Sequence, residues 1–196
     1  MSTADVGTAG RVVVRRAGEG PTTWAMASLF EHLAGEADTS GRLGVSVVTQ
    51  PAGIAPPLHV HKEESEAVYL LDGGMRYRAG DEVHELAAGD FVHLPAGVPH
   101  GFRVGAAGVR YLALTVPGRL LNLYDEVGTP ATARRLPVPG QDGWTMPEEI
   151  ARWNEIAPRY GLVVVGPPLP EQGCGRPRST GRPPARRRGR CRRHPP

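Results

Sequence analysis

Cysteine is nearly absent from this chain: Cys174 and Cys191 are the two it has, both within the last 23 of its 196 residues. A disulfide framework for the fold is thereby excluded, and so is a thiol nucleophile in its core. Long apolar runs are missing too, since nothing approaches the roughly 18 residues of a membrane span. The opening stretch MSTADVGTAGRVVVRRAG has no apolar run after a basic start. No secretory signal is therefore expected, and a cytoplasmic location is. Strand and helix patterns do not alternate along the chain, which argues against a parallel doubly wound sheet. Basic charge is scarce where a nucleic-acid-binding domain would need it. Residues 1–170 hold 14 Lys and Arg against 19 Asp and Glu, a net charge of −5. The chain's overall +3 comes from residues 171–196, which carry nine Arg and one Glu. Nucleic acid is not an expected partner of the domain, whatever the isoelectric point implies.

What is there has the length of one domain with a substantial core. From Arg11 to about Thr115 the chain reads as short strands separated by Gly, Pro and Asp turns. The candidates are 11–16, 44–50, 58–61, 66–73, 75–80, 82–89, 90–95, 100–104 and 109–116. Turn signals every eight to twelve residues are the spacing of an all-β sandwich or barrel. Residues 22–33 fit a helix nearly as well as a strand, and the centre is read as strand. After Pro117 the pattern changes. Residues 118–128 place apolar side chains at 120, 121, 123, 124 and 127 with Gly128 as a stop, which predicts a short amphipathic helix. Residues 147–161 have Pro at the first helical position, Glu in the first turn and Gly161 at the end, and predict a second. Pro158 should distort or end it early. Residues 162–168 are read as an edge strand.

The expected organisation is a disordered N-terminus over 1–10, a β-domain over 11–117 and a helical extension over 118–170. A disordered Arg/Pro-rich tail follows over 171–196, where Arg, Pro and Gly make up 18 of 26 residues and no apolar period could bury a core. Such a tail can neutralise phosphates, but it is also what GC-rich codons spell out of frame, and it is read as passive.

The chemistry concentrates in GIAPPLHVHKEESEAVYLLDG, residues 53–73. It is either a metal-gathering segment or a solvated charged turn between strands. In a strand, residues two apart point to the same face, about 6.6 Å from each other. His59 and His61 then project together, and Glu66 on the next strand can bring its carboxylate to the same point. PAGVPH at 95–100 is a later turn that delivers His100. Glu63 and Glu64 precede the second strand and are read as solvated. His84 and His93 are read as packed or surface residues. Tyr69, Tyr77, Phe91, Phe102 and Tyr111 are read as packing, Phe102 being the best pocket-wall candidate because it shares a strand face with His100. Trp24 and Met26 are weaker candidates for a barrel mouth.

The spacing G-x5-HxH-x4-E-x6-G fits Gly53, His59, His61, Glu66 and Gly73, and G-x5-PxG-xx-H fits Gly89, Pro95, Gly97 and His100. Together they resemble the two half-motifs of the cupin superfamily over roughly residues 20–117. The Asn that commonly closes the second motif is replaced by Val104. The layout, down to RYGLVVVGPP after the helices, resembles the single-domain cupins similar to quercetin dioxygenase. That resemblance implies a single antiparallel jelly-roll barrel with short C-terminal helices packed outside. It implies one divalent metal ion per chain (Fe, Mn, Ni, Co or Zn) held by His59, His61, Glu66 and His100, a donor set that does not choose sharply among these ions. It further implies an oxygenase acting on a phenolic or enolic small molecule, of flavonol or aromatic polyketide type, with dioxygen as co-reactant and Glu66 as ligand and general base. The alternatives are a non-redox isomerase, cyclase or decarboxylase, or a binding cupin without turnover. A homodimer is expected, because pairing covers exposed strand edges.

Overall fold

A computed structural model describes residues 12–140, 142 and 146–171. The expectations of disorder for 1–10 and for the tail beyond Glu171, and both cysteines, lie outside the described residues. Ten strands are connected into one antiparallel sheet that curls around an apolar interior. In chain order they are β1 (Thr22–Ala25), β2 (Ser28–Ala34), β3 (Gly44–Gln50), β4 (Leu58–His61), β5 (Ser65–Ala79), β6 (Glu82–Ala87), β7 (Phe91–Leu94), β8 (His100–Val116), β9 (Thr129–Pro130) and β10 (Leu162–Gly166). A short helix, α1 (Glu36–Thr39), joins β2 to β3, and α2 (Leu120–Val127) and α3 (Met146–Ile156) follow the main strands. The fold is all-β with short C-terminal helices, as the resemblance implied.

The segments read as 66–73 and 75–80, with a tight turn at Gly73–Gly74 between them, are in fact one strand, β5. The segments 100–104 and 109–116 are likewise one strand, β8. The reason is steric. A Cβ on Gly73 would lie 2.2 Å from the Gly108 carbonyl oxygen, and both glycines have positive φ. They let β5 and β8 bulge past each other, with register shifts between Leu70 and Asp72 and between Gly73 and Met75, instead of turning back. Bulges of this kind bend long strands without ending them. The inner face of this pair carries Val68, Leu70, Met75, Tyr77, Val104, Val109, Tyr111 and Ala113, all in the main core.

Residues 22–33 form a hairpin, not one strand. Ala25 pairs with Ser28 around Met26 and Ala27, whose φ values of 50° and 61° place both in the left-handed region. Residues 12–16, read as a strand, pair with nothing in the sheet. They lie extended with Val12 and Val14 83% and 74% exposed, tied down by Arg15, which donates to the Leu33 carbonyl and meets Asp38 at 2.7 Å. Strand propensity alone does not make a strand without a free edge to join.

The helical extension is as its pattern predicts. α2 buries Leu120, Leu121, Leu123 and Val127. α3 passes into a single 3-10 turn over Ala157–Tyr160 that contains Pro158, and Gly161 ends it with φ 70°. These pieces share a second core with Ile156, Ala157, Tyr160 and Leu162. β10 then pairs with β4 at the sheet edge, Leu162 opposite His61 and Val164 opposite His59.

Candidate metal centre and its cavity

His59 and His61 stand two apart on β4, and register brings His100 directly opposite His59. The PAGVPH turn is fastened to the same strand: the Gly97 N–H donates to the His61 carbonyl at 2.8 Å, with Gly97 at φ 83°. Ligand atoms of the three imidazoles lie within 4.8 Å of one another. Glu66, near the start of β5, brings Oε2 to 3.7 Å from His61 Nε2 and 3.4 Å from His100 Nε2. The four residues that share one motif in the sequence therefore share one place in the fold. Three clustered imidazoles beside a carboxylate form an arrangement that can hold a divalent metal ion.

The residues present fit such an ion. His59 Nδ1 lies 2.8 Å from the Pro57 carbonyl and His100 Nδ1 2.9 Å from the Val98 carbonyl. A carbonyl can only accept, so each Nδ1 carries its proton and the Nε2 lone pair is left for the centre. His100 Nε2 and His61 Nδ1 are buried without a hydrogen-bond partner among the described residues. Burial, reinforced by the charge of His100, holds His59 down to about 4, and burial lowers His61 as well. Both are neutral donors at physiological pH. Burial would raise Glu66, but the close approach of His100 and the charges of His61, His100 and His59 outweigh it and hold the carboxyl at about 2. Burial would likewise lower His100, yet the adjacent Glu66 carboxylate carries it above its ordinary value. Glu66 and His100 thus form a buried pair in which positive charge beside the carboxylate is strongly favoured, the condition a cation would satisfy.

The centre opens into a cavity of about 430 Å³. Its wall includes Phe102, as the strand pattern anticipated, and also Tyr77, Tyr111, Phe30, Tyr124 and Trp153. Tyr77 stacks on Phe102 at 6.1 Å between ring centroids and lies parallel to the His100 ring at 6.3 Å. Tyr124 stacks on Phe30 at 4.2 Å. Tyr77 and Tyr111, read as packing, thus also line the site; Tyr124 and Trp153 are read from the sequence only as apolar helix positions, and Gln50 only as the end of a strand. Alternation along β5 and β8 could have marked Tyr77 and Tyr111 as inward-facing; nothing local marks Tyr124, which reaches the cavity from α2.

Met26 lies at this cavity and Trp24 does not. Trp24 is buried with its indole N–H donating to the Arg135 carbonyl. The strained Met26–Ala27 turn is clasped from α3, because the buried Glu149 carboxylate accepts the Met26 N–H at 2.6 Å. Left-handed conformations at non-glycine residues cost on the order of 1 kcal/mol each, so the turn needs such support. Glu64 is a correction. It is 1% exposed, not solvated, and neither carboxylate oxygen has a hydrogen-bond partner among the described residues. The turn from β4 to β5 points Lys62 and Glu63 outward and tucks Glu64 beneath it. His84 and His93 lie exposed on the outside, and so do Tyr69 and Phe91, which do not pack internally.

Comparison with known proteins agrees with this geometry. Residues 45–115 match the family model described as Cupin domain. Over those residues the chain is similar to a cupin domain. The stretch matched contains both half-motifs and all four residues of the centre. Quercetin 2,3-dioxygenase of Bacillus subtilis (strain 168) is 30% identical over 115 residues, covering 59% of this chain and 34% of its own length. The chain therefore spans about a third of the curated relative it matches. Among solved structures, an RmlC-like cupin from Shewanella frigidimarina is 20% identical over 53% of this chain and 90% of its own, with a TM-score of 0.47. Oxalate decarboxylase of Bacillus subtilis is 20% identical over 56% of this chain and 31% of its own, with a TM-score of 0.45.

A second set of polar residues in this fold resembles a hydrolytic triad. Ser46 Oγ lies 2.9 Å from His32 Nδ1, and His32 Nε2 lies 3.0 Å from Asp125 Oδ1. Ser46 is fully buried, so no substrate reaches it. The set ties β2, β3 and α2 together and satisfies buried polar groups.

Proposed function

We propose that this protein is a metal-dependent oxygenase acting on a phenolic or enolic small molecule of flavonol or aromatic polyketide type. The observation that carries the reading is the convergence of His59, His61, His100 and Glu66 on the wall of an aromatic-lined cavity of about 430 Å³. The similarity to quercetin 2,3-dioxygenase supports it. His59, His61, His100 and Glu66 would hold one divalent ion, which when bound supplies Lewis-acid polarisation and orients a chelating oxygen.

The chain's own residues do the rest. Tyr77 and Phe102 present ring faces against which a planar aromatic can stack. Ile54, Leu162 and Val164 help to exclude water. Glu66 is ionised at neutral pH and accepts the hydroxyl proton of the substrate at a carboxylate oxygen. The protein is read as a cytoplasmic homodimer. Among the described residues no helix is long and apolar enough to cross a membrane.

The test is oxygen uptake by metal-reconstituted protein with candidate flavonols and hydroxylated polyketides. Turnover is expected with the wild type, and Glu66→Gln should lower it at least about a hundredfold. Turnover with Zn(II) in the absence of oxygen would replace the oxygenase by a non-redox isomerase, cyclase or decarboxylase. No turnover with any chelating enol would sink the enzymatic reading.

A further inference from the structure

We propose that the hydroxyls of Tyr77, Tyr111 and Tyr124 are the specificity determinants of the cavity and bind the oxygen substituents of a polyhydroxylated aromatic substrate. This rests on the reading of the site as one for phenolic or enolic compounds. The three side chains arrive from different elements, β5, β8 and α2, and all line the same cavity. No hydrogen bond joins any of the three hydroxyls to a described residue, and none of them is among the fully enclosed unpartnered polar atoms, so each is open to the cavity. A purely apolar pocket would be served as well by phenylalanine, as Phe30 and Phe102 show at its wall. A phenol hydroxyl that faces the cavity and is unmet by protein is free to pair with a ligand oxygen.

The electrostatics keep these groups as hydroxyls. Burial, together with the negative charge of Glu66, raises all three above the ordinary tyrosine value. Each therefore offers one O–H donor and its acceptor lone pairs at any physiological pH.

Gln50, at the same wall, holds a fixed amide behind the tyrosines. Ser28 Oγ spends its proton on the Met26 carbonyl at 3.1 Å, so it can only accept from Gln50, whose Nε2 lies 3.1 Å away. That fixes the amide orientation and leaves Gln50 Oε1 buried without a donor among the described residues. An aromatic with a single chelating oxygen pair leaves the three tyrosine hydroxyls unmet, whereas one bearing further ring hydroxyls satisfies them.

The test compares two probes that share a chelating hydroxyl and carbonyl. Quercetin bears further ring hydroxyls and 3-hydroxyflavone bears none. Affinities are measured by quenching of tryptophan fluorescence, Trp153 being in the cavity wall, on metal-loaded protein kept free of dioxygen. Tyr111→Phe and Tyr124→Phe should each weaken quercetin about three- to tenfold, the worth of one hydrogen bond. Each should leave 3-hydroxyflavone within about twofold. The second probe also shows that the variants remain folded. Equal losses for both probes, or none for either, would overturn the inference and leave the proposed function standing. If wild-type protein binds neither probe, the proposed function fails and the inference falls with it.

Discussion

At the residue scale the centre is a set of three imidazoles arranged around one carboxylate, and each contributes differently. His100 is the piece carried in from the far half of the motif, and its Nδ1 is fixed by the Val98 carbonyl. His100→Ala should lower the metal content of purified protein to less than about a tenth of wild type, since even indirect ligand support is worth ten- to a hundredfold in affinity. Elemental analysis reads this directly, and retained stoichiometry would remove His100 from the ligand set. Glu64 makes the opposite prediction, because its burial serves no visible pairing. Burial raises its carboxyl above the ordinary value. Its neutral form is therefore favoured in the fold, and stability is lost as pH rises through the raised value. Glu64→Gln should be more stable than wild type at pH 8, with the difference closing toward pH 4. Urea unfolding at the two pH values checks it, and a loss of stability at pH 8 would mean that the carboxylate is paired.

At the scale of elements, what completes the cavity is the docking of α3 onto the β1–β2 hairpin. The contact is specific, one buried carboxylate on one turn N–H. Met26 and Ala27 hold positive φ where Asn-Gly would be at ease, so the hairpin depends on that clasp. Glu149→Ala should destabilise the protein by about 1–3 kcal/mol, the cost of leaving a buried donor unmet. It should also raise KM for a cavity ligand more than it lowers kcat, because it loosens a wall and not the centre. Glu149→Gln keeps an acceptor for Met26 and should recover most of both. Parallel loss of kcat and kcat/KM in the alanine variant would instead place Glu149 in the chemistry.

At the scale of the whole molecule, part of the outer face of the sheet, around Tyr69 and Phe91, carries exposed apolar side chains. Tyr69 pairs with Phe91 on one side and Leu112 on the other, and Ala67 with Leu114. Phe91 is 60% and Val116 52% exposed, with Leu71 also open to solvent. Contiguous apolar patches of a few hundred Å² mark association sites on otherwise soluble domains, and a second copy presents the same face. Light scattering after gel filtration should give a dimer mass. Phe91→Lys should shift it to monomer without loss of metal, since Phe91 points away from the interior. A monomer from wild-type protein at micromolar concentration would dispose of the homodimer.

The four residues of the centre were legible in the chain because each rests on a local interval. A strand's period of two puts His59 and His61 on one face. The glycines at 53 and 73 bracket the carboxylate, and PAGVPH carries its own turn geometry to His100. The amphipathic pattern marked α2 and α3 for the same reason. The bends at Gly73 and Gly108, the burial of Glu64, the clasp of Glu149 on Met26 and the meeting of Tyr77, Tyr111, Tyr124 and Gln50 were not legible. Each depends on segments far apart in the chain that touch only when the sheet curls and the C-terminal helices dock. Local periodicity assigns a side chain to a face; which distant side chains share the space beyond that face is settled by long-range strand register and packing.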